Sequence, residues 1–542
     1  MHKVFRGKHF KLRYNKGIQF CTYDMTFQKR RNLKMIITKE KRYLILPCDE
    51  ASQKQHVKFF EKGKLLLNLD VKLNFENPKY FMHYDLTKFL NCDIEICCDD
   101  EKTFEFSDKK EIQKEKIRPA VHFTAGEGWI NDPNGLVFYE GKYHMFYQHN
   151  PAGRGWANMH WGHAVSEDLI NWTEQDIALY PDKLGAMYSG SAVIDKNNLL
   201  KLKNGEHDTL VLFYTAAGTD NIIEGGEKDF VQCMAYSTDG AKTFVKYENN
   251  PIINNIKKGN RDPKVIYNEK CSCYVMALYA GAGEFVFFKS DNLIEWDKIC
   301  SYFPKDEREC PDIYPLTVGD KQKWVFTGAN DYYAVGEFDC EKGFFNVSET
   351  QKMGYGRAYA SQSFSGLDGR VLRVSWNRFD KIPTKTFASS MSAFCELYLD
   401  DACRLCIKPA DEIKKAYKKS TAKEICDPTG FKCELEKNPV DITLEISKAE
   451  SDMSIELFGN SIDINLKEKT VSVKEFDAEE LIMPLETDDE KNIKIRIISD
   501  NMGTEIFFKH YFGAFATVND YDKNYLSLTG KAKKYSIVIN EF

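Results

Sequence analysis

Along most of the chain apolar and polar residues alternate, and the three-to-four spacing of an amphipathic helix is rare. Up to about residue 117, segments such as KMIITKEKRYLILPC, KLLLNLDVKLNF and CDIEICC change character at every second residue. Strand side chains point alternately to opposite faces, so this period predicts strands with one wet face and one buried face. Residues 1–117 are therefore expected to form an N-terminal β-rich domain. The charged run DKKEIQKEKIRP follows and predicts a boundary, because it offers little to bury. Near the other end, PADEIKKAYKKSTAKEI has helical composition and predicts a linker helix over 406–427. Alternation then returns in DITLEI, SIELFG, IDINL, TVSVKEF, IKIRII, EIFFK and KYSIVI, which predict a C-terminal β-sandwich over 428–542.

The middle, residues 118–405, repeats itself. AVSEDLINW, AYSTDGAKTF and FKSDNLIEW each run from an apolar strand into Ser, a turn and an aromatic residue, with the serines at 166, 237 and 290. Five further stretches pass from a polar cluster into a strand: NDPNGLVFY, YSGSAVID, RDPKVIY, ECPDIYPL and YASQSF. Recurrence at this length suits four-stranded propeller blades, and five openings predict a five-bladed β-propeller whose polar clusters converge at one end. The fold class is thus all-β: a propeller with a C-terminal β-sandwich and an additional N-terminal β-domain.

Composition narrows the chemistry. A chain of 542 residues exceeds one ordinary core. Its formal net charge of -6 gives no footprint for nucleic acid or an acidic membrane. With no apolar run long enough to span a bilayer and no signal-peptide core in MHKVFRGKHFKLRYNKGIQF, a cytoplasmic protein is expected. The 16 scattered cysteines predict mostly free, buried thiols in that compartment. All seven tryptophans fall between Trp129 and Trp376, which marks the middle as a unit and hints at a sugar-stacking surface. Two sharper metal readings are weak. Cys403 and Cys406 form a CxxC without a second ligand pair, and His122, His144, His149, His160 and His163 match no common ligand spacing, so no metal is expected.

Three acids stand in the openings: Asp132 in NDPNG, Asp262 in NRDPKV and Glu309 in RECPD. Asp132 to Gly135 reads as a β-turn, with Pro fixing φ and Asn and Gly tolerating its positive values. Each Asp-Pro alone is more simply a turn, but three acids at one end of a propeller form a pocket. Glycosidic hydrolysis needs one carboxylate to attack or direct water and one protonated carboxyl to donate to the leaving oxygen. Asp132, beside Asn131 and turn amides, is expected to stay ionised. Glu309, among other carboxylates, is expected to have a raised pKa and hold a proton, and Arg261 should favour the charged form of Asp262.

With HFTAGEGWINDPNGLVFYEGKYHMFYQHNP, WANMHWGHAVSEDLINW, YSGSAV, NRDPKV and ECPD in this order, the chain strongly resembles glycoside hydrolase family 32, the invertases, inulinases and levanases. The resemblance implies a retaining β-fructofuranosidase acting on a fructose-containing small molecule, sucrose or a short fructo-oligosaccharide, with no cofactor. It implies Asp132 as nucleophile, Glu309 as general acid and base, and Asp262 as transition-state stabiliser. It places Asn131, Gln148, Trp156, Tyr188, Ser189 and Arg261 in the fructose pocket. A retaining pair should stand about 5 to 5.5 Å apart. Fructosyl transfer and non-catalytic fructan binding are the alternatives, and a homo-oligomer is left open.

This sequence departs from the family's pattern in places. Tyr188 stands where Phe is frequent, and Ala125 where Pro is. Arg308 stands where Trp often precedes the Glu-Cys pair, and Arg357 is the nearest substitute for an acid before Tyr-Ala. Two such arginines either favour a charged aglycone or pair with local acids, and the second reading is preferred for both.

Overall fold

Four of the five polar clusters of the middle region lie on the first strand of a separate sheet, and ECPD leads into the first strand of the fifth. A computed structural model describes residues 33–100, 102–218, 228–436, 439–476, 480–520 and 522–542. The first 32 residues of the expected N-terminal domain lie outside these. The first strands are Gly128–Tyr139, Ala186–Asp195, Arg261–Asn268, Asp312–Val318 and Ala358–Ser363, and each is followed by strands that pair in sequence order. Each first strand lies against the next, and Ala358–Ser363 returns against Gly128–Tyr139. Phe387–Ala388, from the last segment, also pairs in parallel with Gly128 and Trp129.

The serine repeats are equivalent turns. Ser166, Ser237 and Ser290 end the third strands of the first three sheets. Each hydroxyl accepts backbone N–H groups of the following turn: Leu169 at 2.9 Å, Ala241 at 3.1 Å and Leu293 at 2.9 Å. Those three residues take φ of 66°, 62° and 68°, and the serine bonds hold this left-handed backbone in place. Trp172 and Trp296 then donate their indole N–H to the carbonyls of Leu169 and Leu293.

Ahead of these sheets, the strand order is Leu33–Ile36, Asp93–Cys98, Gln55–Glu61, Lys64–Val71 in one sheet and Tyr80–Asp85, Tyr43–Cys48, Glu105–Ser107 in another. Leu44, Leu46, Val57, Phe59, Met82 and Ile96 share a core that also takes in Ala152 and Tyr180 of the middle region. Behind the five sheets, a seven-stranded and a six-stranded sheet share another core, with Val440, Ile442 and Leu444 clustered with Ile455, Leu457 and Ile462.

The expected linker helix is absent. Asp411–Ala416 makes a short 3-10 turn, and Lys419–Cys426 is an edge strand paired with Ala532–Glu541. Its lysines and glutamate suit a helix composition, but an exposed edge strand is equally content with charged side chains, which blunt it against further pairing. The ladder to Ala532–Glu541 decides the conformation. One disulfide, Cys271–Cys340, joins the third and fourth sheets, and the other described cysteines are thiols.

Candidate active site

Asp132 does not sit in a β-turn. Residues 132–135 lie within the strand Gly128–Tyr139, whose pairing with Lys142–Asn150 slips twice, between Ile130 and Pro133 and between Asn134 and Val137. Proline has no N–H for a ladder and is tolerated where a bulge leaves a residue unpaired. Gly135 takes φ 52°, and a Cβ there would stand 2.7 Å from the Phe146 ring. Turn-forming residues therefore serve here to kink a strand. The same slip recurs between Met187 and Gly190, between Arg261 and Lys264, and between Tyr359 and Gln362. Four of the five first strands are bulged where their polar residues stand, which re-aims those side chains.

The three acids meet around Cys310. Its thiol is 3.5 Å from Oδ2 of both Asp132 and Asp262, and its backbone N–H donates to Asp262 Oδ2 at 3.1 Å. Burial, and then the carboxylates themselves, push this thiol far up, so it stays protonated and donates. Ser189 donates to Asp132 Oδ2 at 2.6 Å, and Asn131, which accepts the Trp129 indole N–H, donates to Oδ1 at 3.1 Å. Arg261 donates to Glu309 Oε2 from Nη2 at 2.6 Å and from Nε at 3.2 Å, and the Tyr359 hydroxyl donates to Oε1. Asp262 and Glu309 take φ of 65° and 35°, a conformation that costs free energy and is held by its surroundings.

The shift expected at Glu309 is reversed, and Asp132 is pushed up rather than held down. Burial raises Asp132, and Glu309 adds to the rise against the bond from Ser189. Burial takes Asp262 to about 7, with Arg261 opposing and the other two acids assisting. Burial would raise Glu309 too, but Tyr359 and Arg261 outweigh it and hold this carboxyl below its ordinary value. Sequence neighbours suggested like-charge repulsion at Glu309. The decisive partners are a tyrosine 50 residues later and an arginine 48 residues earlier.

The remaining residues expected in the pocket fall into two groups. Gln148 is buried and donates to the Met187 carbonyl at 2.7 Å, which supports the bulged strand that carries Ser189. Trp156 is half exposed and meets Tyr188 edge-on at 6.1 Å, and Tyr188 meets Phe230 at 5.2 Å. Arg357 pairs with an acid as expected, but with a distant one: Nε is 2.7 Å from Glu475 Oε2. Sequence reasoning missed Cys310, Tyr359 and Glu307. Cys310 and Tyr359 stand inside the quoted motifs RECPD and YASQSF. Glu307 had no signal beyond lying two residues before the acid. It is buried and accepts N–H groups of Arg308, Asn330 and Tyr332 at 3.1, 3.1 and 2.6 Å.

The histidines separate. His144 and His163 stack on each other 5.3 Å apart, His149 contacts the Trp129 carbonyl, and His160 contacts Tyr84. Burial drives His144 and His149 down to about 4. Cys406, without Cys403, joins Asp400 and His510 in one cluster. Asp400 already pairs with Arg404 and Lys509, and bonds from Cys406 and Glu486 raise His510 to about 9. That charge set is complete without a cation.

Residues 122–409 match the sequence profile of the glycosyl hydrolases family 32 N-terminal domain. The chain belongs to glycoside hydrolase family 32. It is 40% identical over 316 residues to a levanase of Bacillus subtilis, covering 53% of this chain and 45% of the levanase. To an invertase of Schizosaccharomyces pombe it is 33% identical over 316 residues, 52% of this chain and 53% of the invertase. The chain spans about half the length of these two curated relatives. Among solved structures, exo-inulinase from Aspergillus awamori aligns with TM-score 0.70 at 24% identity, over 79% of this chain and 98% of that one. A β-fructofuranosidase from Schwanniomyces occidentalis, complexed with fructosyl-erythritol, aligns with TM-score 0.67 at 25% identity, over 78% and 97%.

Proposed function

We propose that this family 32 chain is a retaining β-fructosidase that releases terminal fructose from sucrose or short fructo-oligosaccharides. The observation that carries the reading is the meeting of Asp132 and Asp262, on bulged strands of different sheets, with Glu309, on the loop before Asp312–Val318, around Cys310. The cyclic contact of five first strands supports a five-bladed propeller with this site at one end, followed by a β-sandwich.

In this reading Asp132 attacks the anomeric carbon of the fructosyl unit while Glu309 protonates the glycosidic oxygen from the opposite face. Asp262 holds fructose hydroxyls as positive charge develops on the ring. Water, deprotonated by Glu309, then opens the fructosyl ester. Ser189 and Asn131 orient the attacking carboxylate. Arg261 and Tyr359 favour the ionised form of Glu309, so the proton it donates comes from the shared set of three carboxyls. A sugar that displaces Arg261 from Glu309 would let that proton settle there.

Measuring free fructose from sucrose, kestose and levanbiose tests the reading. Wild type should release fructose from at least one, and Asp132→Asn should lower kcat by on the order of 10³-fold or more. No release from any of the three by wild type would overturn the enzyme reading. Equal release by both proteins would remove Asp132 from its role.

A further inference from the structure

The N-terminal β-unit lies outside residues 122–409, the part that matches the family, yet it holds the segment that carries Trp156. Its strand Lys64–Val71 is a sheet edge. A residue on such an edge turns an N–H and a C=O outward, and a primary amide can answer both. Asn158 answers both groups of Asp70: its Oδ1 accepts from the Asp70 N–H at 2.8 Å, and its Nδ2 donates to the Asp70 carbonyl at 2.8 Å. The same Nδ2 donates to Asn150 Oδ1 at 3.1 Å, and Asn150 Nδ2 donates to the Gly155 carbonyl at 2.7 Å. These bonds tie the two ends of the stretch 150–158 to each other and to the N-terminal sheet.

A second contact from the same unit secures Asn158. Burial holds His160 far below its ordinary pKa, so its ring carries one proton. Nδ1 faces the Asn158 carbonyl, which only accepts, so that nitrogen bears the proton and Nε2 accepts from the Tyr84 hydroxyl at 3.0 Å. Two residues before Asn158 stands Trp156, the most exposed of the seven tryptophans. It meets Tyr188 edge-on, and the neighbouring Ser189 donates to Asp132. An exposed indole gives up side-chain freedom when a sugar stacks on it, and a mount that has already taken that freedom lets the sugar bind more tightly.

We propose that Asn158 and Tyr84 are positioning residues through which the N-terminal β-unit holds Trp156 ready for a sugar ring, so that this unit sets sugar affinity and not the rate of the chemical step. This rests on the fructosidase reading for the sugar, but not for the ordering of Trp156.

The test compares wild type with Asn158→Gly and Tyr84→Phe, each alone and combined with Trp156→Ala. Asn158 takes φ 49°, which glycine adopts freely, so Asn158→Gly removes the amide without straining the backbone. Tyr84→Phe keeps the ring in its core and removes one hydroxyl, so it decides the matter should Asn158→Gly fail to fold. In kinetics on sucrose and kestose and calorimetric titration with fructose, KM and the fructose Kd should rise together by about three- to tenfold in Asn158→Gly, with kcat unchanged. Tyr84→Phe should shift both in the same direction, by about twofold or more. In the Trp156→Ala background neither replacement should shift them further. Acrylamide quenching reads Trp156 without any sugar: the difference between each protein and its Trp156→Ala counterpart isolates that indole, which should be quenched more readily in both variants than in wild type. Unchanged KM, Kd and quenching, even with a lowered Tm, would overturn the proposal, as would an equal shift in the Trp156→Ala background or a loss confined to kcat. If quenching rises while wild type binds no fructose and cleaves no fructoside, the positioning of Trp156 stands and the hydrolase reading falls.

Discussion

Asp262 shows how much of a residue's chemistry lies in its surroundings. Its pKa is raised to about 7 in the folded protein, chiefly by burial. A carboxyl raised on folding binds more protons in the native state, so stability falls as pH climbs from the ordinary carboxyl range to about 7. Removing that charge should therefore help most above neutrality. Asp262→Asn is expected to stabilise the fold more at pH 8 than at pH 5, by up to a few kcal/mol at about 1.4 kcal/mol per pKa unit, while abolishing turnover. Thermal melts at the two pH values check this. That the three acids come together was legible in the sequence, because Asp-Pro and Glu-Cys-Pro recur at the openings of apolar strands. Their protonation was not. Tyr359 and Arg261 reverse the expectation for Glu309, and both reach it through the fold rather than along the chain.

At the level of elements, the site is built from bulged strands and one strained loop. Asp306, Glu309 and Cys310 take φ of 61°, 35° and 44°, and Glu307 between them anchors the loop through three backbone N–H groups. Burial raises its pKa to about 8, yet it remains the acceptor that these donors need. Glu307→Ala should leave buried donors unpaired and destabilise the protein by about 2–4 kcal/mol. It should also lower kcat more than it changes KM, because Glu309 would lose its setting. Glu307→Gln, which keeps the carbonyl oxygen, should restore much of both. Urea titration and steady-state kinetics on the pair distinguish the outcomes. The strand and repeat patterns were legible because they depend on period and on Ser-to-backbone bonds that are local. Bulges were not, since Pro133, Asn134 and Gly135 serve a turn and a kinked strand equally well. The linker helix failed for the related reason that Lys419–Cys426 is fixed by its partner strand 100 and more residues away.

Across the whole molecule, His122 clasps the segment that leads into the strand of Asp132 to the C-terminal seven-stranded sheet. Its Nδ1 is 3.0 Å from Asp500 and its Nε2 3.2 Å from Glu505, while Asp500 also accepts the N–H groups of Ala120, Val121 and His122. Burial disfavours the charged ring, but Glu505 and Asp500 outweigh this and raise it to about 10. A histidine raised on folding contributes stability that is complete below its ordinary pKa of about 6.5 and is lost as pH rises through about 10. His122→Gln should cost about 3–5 kcal/mol near pH 6 and show a flatter decline of Tm toward pH 10 than wild type. A pH series of melts measures both. Strand period and tryptophan placement predict N-terminal, central and C-terminal β-units, whereas this clasp joins residues nearly 400 apart and left no local trace. The N-terminal sheets likewise borrow Ala152 and Tyr180 for their core, which no pattern within residues 1–117 foretells.

The most direct test of the central claim is mass spectrometry of Glu309→Ala quenched during reaction with β-fructofuranosyl fluoride. Its leaving group needs no acid, and its fructosyl ester lacks the base that would open it. The account predicts one anhydrofructosyl unit carried on the peptide that contains Asp132 and absent from Asp132→Asn/Glu309→Ala. Turnover of the fluoride with no adduct, or an adduct on Asp262, would contradict it.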